Sequence, residues 1–498
     1  MLRSILAALA ACLAFAVVAH AAERPADLVL TGTLTGKDHE TYHEVPFKVP
    51  AGTARLTITF DYTGKDQRSV IDLGLRDPQR FRGWSGGNKA RVTLEEAWAT
   101  PSYLPGPLPA GAWKLVLGAP NIRKTGQAAY TARIWFEPAS AAFAGFVPAP
   151  VKAGPGWYRG DLHMHTAHSD GSCLSRRGVK VPCPVFKTLE AATARGLDFI
   201  AVSDHNGVAQ AEALGELAPY FDDLLLIPAR EVTTFYGHAN LFGPLGPIDF
   251  QIGSTRAPSF GKLMDQVEAA HGLISINHPG LPSGEACMGC GWTMKDVDYG
   301  RVTGVEVVNG GILGFPKAPE GPLSGLPFWE ARLNAGFRIT AVGGSDNHEP
   351  TLAPDRPSAV GLPTTVVHAT ELSQTAVLEA IRRGHVFVDV WGTKDRMLEV
   401  EAAAGAQRAQ MGDVLPAAAG VRVTVEVHVA GAPAGAVLAL AGDGAKLAKL
   451  GDPQIGSAEG RKAFELTADG GAHWLRVDLR DADGKLLLIG NPIYLRPN

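Results

Sequence analysis

The chain has 498 residues, of which 46% are hydrophobic and 19% charged, and its formal net charge is −4. This balance suits a globular protein of two or three domains and excludes a disordered or fibrous chain. The sequence has no long basic run, so we expect no nucleic-acid partner.

The first 22 residues are predicted to be a secretory signal peptide. Arg3 precedes an apolar run over residues 5–18, and residues 19–21 read Ala-His-Ala, a cleavage site of the small-x-small type. We expect cleavage near Ala21 or Ala22. The run is short for a membrane anchor, and no other stretch is long enough to cross a bilayer. The mature protein is therefore predicted to be periplasmic or secreted, without a membrane span.

Residues 23–148 are predicted to form an all-β domain with two packed sheets. Short alternating runs such as ARLTITFDYTG and AWKLVLGAP are separated by Gly, Pro and Asp, and no helical period intervenes. The stretch VPFKVPAGTARLTITFDY resembles the jelly-roll accessory domains of secreted bacterial hydrolases.

Residues 149–395 follow a linker rich in Pro and Gly and alternate between strand-like and helix-like patterns. Such alternation is typical of an α/β barrel with parallel strands. The predicted helices cover residues 185–195, 259–270, 327–335 and 373–383. The predicted strands cover residues 162–166, 199–205, 224–231, 238–242, 273–278, 305–309, 339–345, 364–368 and 386–390.

Residues 398–498 return to short alternating runs, for example GVRVTVEVHVAG and HWLRVDLRD. This pattern predicts a second, smaller β-sandwich at the carboxyl terminus. The expected fold class is therefore α/β, with one barrel flanked by two β-sandwich domains.

Side chains that bind metals stand at or just beyond the predicted barrel strands. In GDLHMHTAHSDG, His163 and His165 are two residues apart, so in a strand both face the same side. Asp161 shares that face and could orient one of the histidines. Other candidates lie in VSDH, ARE, GHAN, NHP and GSDNH. The full set is His163, His165, Asp170, His205, Glu231, His238, His278, Asp346 and His348.

Taken singly, residues such as His278 or Asp346 are more often packing or capping residues than ligands. Their joint position, at the rim where α/β barrels carry active sites, predicts a metal centre. Histidines combined with carboxylates suit Mn, Zn or Fe. The set exceeds the roughly four to six positions of one ion, so we expect two to three divalent ions and a bridging carboxylate.

The ordered motifs HMH…D, VSDH, ARE, GH, NHP and GSDNH resemble those of the polymerase-and-histidinol-phosphatase (PHP) superfamily over residues 157–392. The resemblance implies an irregular (β/α)7 barrel that holds up to three metal ions. It assigns one ion to His163, His165, Glu231 and Asp346, a second to Glu231, His238 and His278, and a third to Asp170, His205 and His348. Glu231 would then be the bridge.

The leader, the flanking β domains and the segment WYRGDLHMHT are most similar to an exported branch of that superfamily, which includes carbaryl hydrolase-like proteins. One departure is Arg230, which stands where a small residue is common. Because Arg230 is out of phase with Glu231 along the strand, we expect its side chain to face away from the metals.

Three residues are candidates for substrate contact. Asn309 ends a predicted strand at the same rim and could hold substrate or a metal-bound water, or could equally cap the following turn. Asn240 shares a face with His238, and His168 lies between two predicted ligands. Beyond a metal-bound hydroxide, the sequence identifies no catalytic group.

Metal-dependent hydrolysis is the favoured activity, since the sequence lacks both a Gly-x-Ser-x-Gly elbow and a Walker-type phosphate loop. The first hypothesis is a phosphoesterase that acts on small-molecule phosphodiesters. The alternative is a carboxyl-ester or carbamate hydrolase with the same metal centre. A third hypothesis is a non-catalytic protein whose β domains bind a glycan or envelope component. The sequence does not indicate an oligomeric state.

Two features would distinguish the enzymatic hypotheses. A phosphodiesterase should have a cationic residue near the metals, whereas a carbamate hydrolase should have an apolar aromatic pocket. The aromatic residues in or near rim loops are Phe235, Tyr236, Trp292, Phe315 and Trp329.

Four of the five cysteines lie in the predicted mature chain, and an even number in an exported protein favours disulfides. Pairing of Cys173 with Cys183 and of Cys287 with Cys290 is the simplest of three connectivities. Cys287-x-x-Cys290 could instead be half of a zinc site or a redox pair. Cys12 leaves with the signal peptide, unless it is the modified residue of a lipoprotein signal.

Overall fold

The computed structural model describes residues 24–285, 287–443, 452–456 and 458–497. The predicted signal peptide and its cleavage site lie outside these residues. Within the described part of the chain, no helix is both long and apolar enough to span a bilayer.

Two four-stranded antiparallel sheets form the amino-terminal region. Its strands are β1 (Leu28–Thr35), β2 (Tyr42–Val49), β3 (Thr53–Tyr62), β4 (Val70–Arg76), β5 (Phe81–Trp84), β6 (Arg91–Leu94), β7 (Gly111–Asn121) and β8 (Gln127–Pro138). The strand orders are β1-β8-β3-β6 and β2-β7-β4-β5. Trp113, Leu115 and Leu117 alternate along β7 and are buried in an apolar core that both sheets share. Alternating burial of this kind is what packs two sheets face to face.

The middle of the chain combines strands with five helices. The helices are α1 (Val185–Arg195), α2 (Gln210–Leu217), α3 (Phe260–Ala269), α4 (Leu326–Asn334) and α5 (Gln374–Arg383). The strands are β9 (Gly156–Asp161), β10 (Ser172–Leu174), β11 (Lys180–Pro182), β12 (Phe199–Val202), β13 (Leu225–Thr234), β14 (Gly237–Phe242), β15 (Leu273–Ile276), β16 (Gly304–Asn309), β17 (Thr340–Gly344), β18 (Thr364–Ala369) and β19 (Val386–Asp389).

These strands form a mixed sheet in the order β17-β16-β15-β14-β13-β12-β9-β18-β19, with β10 and β11 in a separate hairpin. The pairs β9–β12, β12–β13, β15–β16 and β16–β17 are parallel. However, β14 is antiparallel to both of its neighbours, and so is β18. The sheet is therefore mixed, with four of the predicted parallel pairings present and β14 and β18 running against them. For β14 the reason is local, because only Phe235 and Tyr236 separate it from β13, and so short a link permits only antiparallel pairing.

The chain remains extended just beyond β9 and β17, and these two extensions pair with each other. The backbone N–H of His165 donates to the carbonyl of Asn347 over 2.8 Å, and that of Asp346 donates to the carbonyl of His163 over 2.8 Å. Segments from the two ends of the run β17 to β9 therefore lie side by side. The (β/α)7 barrel itself stays a prediction.

Helix bounds follow local sequence signals closely. α1 has the predicted bounds, and α3 and α5 each begin one residue after a serine cap. The Ser259 and Ser373 hydroxyls accept hydrogen bonds from backbone N–H groups three residues later. The short helix α2 was not predicted.

Several strands end earlier than predicted. β12 ends at Val202 rather than His205, β15 ends at Ile276 rather than His278, and β9 ends at Asp161, before the strand predicted over 162–166. Seven of the nine candidate ligands therefore lie in loop residues beyond the strands, whereas Glu231 lies within β13 and His238 within β14.

The described part of the carboxyl-terminal region has nine strands: β20 (Met397–Ala404), β21 (Gln407–Gln410), β22 (Val414–Pro416), β23 (Arg422–Ala430), β24 (Val437–Gly442), β25 (Gly460–Thr467), β26 (His473–Arg480), β27 (Leu486–Gly490) and β28 (Ile493–Arg496). A four-stranded sheet has the order β21-β20-β23-β25. The other strands continue the central sheet, which reaches 14 strands because β27 pairs with β19. Pairing with β27 covers what would be an open edge at β19. The second, smaller β-sandwich over residues 398–498 stays a prediction.

Candidate metal centre

His163 and His165 lie side by side in the extended stretch beyond β9. Met164 between them is fully buried in an apolar cluster, so the two imidazoles point to the opposite side. Both imidazoles are also fully buried. The sequence predicted this shared orientation, although the residues lie past the end of the strand.

The first group of donors consists of these two histidines and two carboxylates. His163 Nε2 lies 3.4 Å from a Glu231 oxygen and 3.3 Å from Asp346 Oδ1. His165 Nε2 lies 3.1 Å from Asp346 Oδ1 and 3.6 Å from the other Glu231 oxygen. Four donors from three separate parts of the chain therefore converge on one point.

The second group is centred on the same glutamate. His238 Nδ1 and His278 Nε2 each lie 3.3 Å from Glu231 Oε1. Glu231 is 1% exposed, and its two oxygens face different histidines. The arrangement places Glu231 where a bridging ligand would be.

The third group lies nearer the surface. His348 Nε2 is 3.3 Å and His205 Nε2 is 3.6 Å from Asp170 Oδ1. His165 belongs to this group as well, since its ring nitrogen lies within the same cluster of donor atoms. His348 Nδ1 lies 2.9 Å from the carbonyl of Asp346 and donates a hydrogen bond to it. The lone pair of Nε2 is therefore available to bind a metal.

The spacing of these atoms fits divalent cations. Two donors that each lie about 2.0–2.2 Å from one ion are about 2.8–3.1 Å apart at octahedral angles and about 3.3–3.6 Å apart at tetrahedral angles. The nitrogen–oxygen distances in the first two groups fall at or near those ranges. In addition, His163 Nε2 is buried without a hydrogen-bond partner, as expected of an atom that serves a cation. The nine predicted residues thus come together in a set suited to divalent metals.

Several of these residues also hold each other in charged forms, although burial lowers the pKa of His165. Burial raises the pKa of Glu231, but the neighbouring imidazoles, His163 foremost, lower it well below its usual value. Burial lowers the pKa of His163, but Asp346 and Glu231 raise it well above its usual value. For His205, Asp170 and Glu231 overcome burial and raise the pKa to about 10. The chain alone therefore carries protons where cations would bind, and metal binding should release them.

Two candidate ligands have left-handed backbone conformations, which are rare outside glycine. His278 has a φ of 28° and Asp346 a φ of 52°. Such conformations cost free energy and concentrate at functional sites. The contacts around His278 and Asp346 must offset this cost for the two conformations to persist.

Glu306 is a member of the site that the sequence analysis missed. Its Oε1 lies 3.0 Å from His163 Nδ1, and its Oε2 accepts a 2.9 Å hydrogen bond from the backbone N–H of His278. Packing here is tight, because a Cβ on Gly344 would meet both Glu306 and His163 at 2.5 Å. A carboxylate on Nδ1 fixes the ring orientation and leaves Nε2 free as a ligand. The available signal was a buried glutamate within the apolar strand VEVVN.

Replacing Glu306 with glutamine should weaken metal binding by about 10- to 100-fold, the usual effect of losing such an outer partner. The amide can accept from His163 Nδ1, but its N–H₂ group would face the backbone N–H of His278. The measurement is metal affinity by competition with a chelator. Glu379→Gln, the same change beside Arg383 on the surface of α5, is the matched control. Equal affinities in the two variants would contradict the role of Glu306.

Asp161 has a different role from the predicted one. Its oxygens accept hydrogen bonds from the backbone N–H groups of His163, Ser345 and Gly361, over 3.2, 3.0 and 2.7 Å. It therefore fixes the backbone of two ligand-bearing segments rather than an imidazole. Asp204 acts similarly, since it accepts from the Thr166 backbone and hydroxyl, each over 2.7 Å.

The three candidates for substrate contact have different surroundings. Asn240 is buried, and its amide donates to the carbonyl of Leu162 over 3.0 Å and accepts from Asn277 over 2.9 Å. Asn309 caps the next turn through Gly311, and its amide also lies 3.2 Å from Asp346 Oδ2. His168 is exposed at the rim.

Arg230 faces away from the donors, as predicted. Its guanidinium donates to the carbonyls of Pro244 and Gly246 over 3.0 and 2.7 Å, and burial lowers its pKa to about 10. Glu231, its neighbour, points to the opposite side. Arg230 therefore supports the sheet rather than the metal site.

The aromatic residues also divide into two kinds. Trp329 is fully buried in the core, and Trp292 packs against Gly237. Phe235 and Tyr236 are 86% and 47% exposed in the turn between β13 and β14, and Phe315 is 55% exposed. Of the five, Phe235, Tyr236 and Phe315 are therefore free to meet a ligand.

Both disulfides follow the local pairing. Cys173 is joined to Cys183 and Cys287 to Cys290. The first closes the hairpin β10–β11 after Asp170, and the second lies in the loop after His278. Each therefore borders a group of candidate ligands.

Fold and site together define a sheet-rich mixed α/β protein with a buried cluster of histidines and carboxylates that could hold divalent metals. No protein-family model matches the chain, and no curated protein sequence matches it. A solved structure from Bifidobacterium adolescentis ATCC 15703, provisionally assigned as a metal-dependent phosphoesterase, is 17% identical. The match covers 41% of this chain and 90% of that one, with a TM-score of 0.28. A structural similarity this low assigns neither a fold nor a function to this protein.

Proposed function

We propose that the protein is an exported metal-dependent hydrolase, with a PHP-type barrel over residues 149–395, that cleaves small phosphodiesters. The observation that carries this proposal is the convergence of three donor groups on shared residues. Glu231 joins the first group to the second, and His165 belongs to both the first group and the third. Such shared ligands suit two to three ions of Mn, Zn or Fe close together.

Divalent cations in these positions would supply a water of lowered pKa as nucleophile and would stabilise charge on the phosphoryl oxygens. The chain's own residues set the geometry for that chemistry. Glu306 and the carbonyl of Asp346 orient the rings of His163 and His348. The Asn309 amide, 3.2 Å from Asp346 Oδ2, directs that carboxylate toward the histidines.

Cationic side chains on the hairpin whose base contacts the third group support an anionic substrate. Arg176, Arg177 and Lys180 are exposed on the hairpin that follows Asp170. The backbone N–H of Ser172, at the base of this hairpin, donates to the carbonyl of His348 over 2.7 Å. These cations can attract a phosphodiester toward the metals.

The second candidate function is hydrolysis of a carboxyl ester or carbamate. The observation that favours it lies beside the second group, where the carbonyl of Met288 is 3.3 Å from His238 Nε2. Met288 is 74% exposed, and Phe235 and Tyr236 are exposed in the turn that precedes His238. An apolar surface at that side could bind the aryl part of an uncharged ester.

A comparison of initial rates tests both candidates. The purified mature protein is assayed with an aryl phosphodiester and with an aryl carbamate, each after chelation and after addition of Mn or Zn. We expect hydrolysis of the phosphodiester that is lost on chelation and restored by metal. Preference for the carbamate would move the protein to the second function. Turnover by protein shown to be metal-free would overturn both.

A further inference from the structure

A cysteine sulfur lies among the ligands of the second group. Cys290 Sγ and a ring nitrogen from each of His238 and His278 are all within 4.8 Å of one another. Cys290 is 0% exposed, whereas its disulfide partner Cys287 is exposed. His278 turns Nε2 toward Glu231, and its Nδ1 is buried without a hydrogen-bond partner. Two imidazoles and a sulfur together form a typical zinc-binding set.

The position of Cys290 is fixed by more than its disulfide. The loop that carries it is tied to the β13–β14 turn, because the backbone N–H of Thr293 donates to the carbonyl of Tyr236 over 2.7 Å. Gly289 has a φ of 79°, and a Cβ there would meet the carbonyl of Thr234 at 2.1 Å. The backbone therefore lies directly against the turn, and Cys290 should stay near the histidines after the disulfide is broken.

We propose that Cys290 is a redox-controlled ligand of the second metal position, withheld by its disulfide with Cys287. Reduction by a dithiol breaks the sulfur–sulfur bond, gives each cysteine sulfur one electron and one proton, and oxidises the dithiol to its disulfide. The Cys290 thiol then releases its proton to solvent as the thiolate binds the cation. This inference rests on the metal centre of the proposed function, not on its substrate.

The two redox states would give the second position different properties. With the disulfide formed, Glu231, His238 and His278 are three protein donors, the number that leaves a position open for water or substrate. With Cys290 reduced, its thiolate can join His238 and His278, the two residues that share its cluster, and occupy the position otherwise open to water or substrate. A thiolate also favours zinc over manganese. In an oxidising exported environment the disulfide would keep the position open.

Two matched variants separate the sulfur ligand from the loss of the disulfide. Cys287→Ser and Cys290→Ser break the same bond, but only Cys287→Ser leaves the buried thiol. Cobalt(II) is the probe, because thiolate ligation adds a charge-transfer absorption in the near ultraviolet that imidazole and carboxylate ligands lack. We expect this band in Cys287→Ser and not in Cys290→Ser or in the untreated protein. Zinc should bind Cys287→Ser about tenfold or more tightly than Cys290→Ser.

The second measurement is made on the unmodified protein after reduction. It needs no variant at Cys287 and therefore remains possible if Cys287→Ser does not fold. Reduced protein freed of reductant should gain the band, and Cys290→Ser treated alike controls for the Cys173–Cys183 bond. Bound cobalt without the band, in a sample with free Cys290 thiol, would overturn the proposal. The band in the reduced protein, together with no hydrolysis of either substrate by the untreated protein loaded with metal, would sustain it and remove the proposed function. Failure of every form to bind cobalt would remove both.

Discussion

Replacing Glu231 with glutamine should remove the metal of the first and second groups while the fold persists. Glu231 oxygens lie between 2.9 and 3.6 Å from ring nitrogens of His163, His165, His205, His238 and His278. The amide retains the shape but has one neutral acceptor in place of two anionic ones. Loss of an outer-shell partner alone costs about 10- to 100-fold in metal affinity. Loss of this bridging ligand should therefore lower metal affinity by more than about 100-fold. Metal content and competition with a chelator measure the change.

The hydrogen bond from Asn277 Nδ2 to Glu231 Oε1, 2.9 Å long, gives a reason to expect a folded variant, since a glutamine oxygen can accept it. Glu268→Gln, on the surface of α3 beside Arg301, makes the same chemical change away from the site. Its metal content should equal that of the unmodified protein. Full metal content in Glu231→Gln would show that Glu231 is not the bridge.

Replacing Asp346 with asparagine should abolish hydrolysis, with a loss of about a thousandfold or more in kcat. Asp346 Oδ1 lies 3.1 Å from His165 Nε2 and 3.3 Å from His163 Nε2, so its charge serves the first group directly. Asparagine tolerates the left-handed backbone at this position, so the fold should be retained. Asp346→Ala should lose activity equally and should also lose about 1 kcal/mol of stability from the backbone conformation. Initial rates and thermal unfolding measure the two effects.

Asp355→Asn is the matched control for this change, because Asp355 is exposed in the loop that follows. It should leave kcat unchanged. The second group does not include Asp346, so Asp346→Asn should keep part of its metal, whereas Glu231→Gln should lose metal from both groups. Undiminished turnover in Asp346→Asn would remove the metal mechanism.

The helices and the ligand residues could be predicted because their signals are local. An apolar period of 3.6 residues and a serine cap define α3 and α5 within one residue. Histidines and carboxylates at or near the ends of predicted strands identified nine of the residues that the structure brings together. The same patterns placed Arg230 on the opposite side from Glu231, because side chains alternate along a strand.

The supports of the site could not be predicted from those patterns. Glu306 reaches His163 across 143 positions of sequence, and Asp161 reaches Gly361 across 200. Such contacts depend on which strands pair, and periodicity within one strand carries no information about its neighbour. The antiparallel direction of β18 and the pairing of β27 with β19 were missed for the same reason.

The sequence by itself determined the donor types, their places beyond the strands and the length of most helices, because these depend on residue chemistry and local backbone preference. Only the tertiary structure decided which donors share a carboxylate, which buried acid orients which imidazole, and that Cys290 lies against His238 and His278. Those relations arise when distant strands pack together, and burial then sets both their distances and their charges.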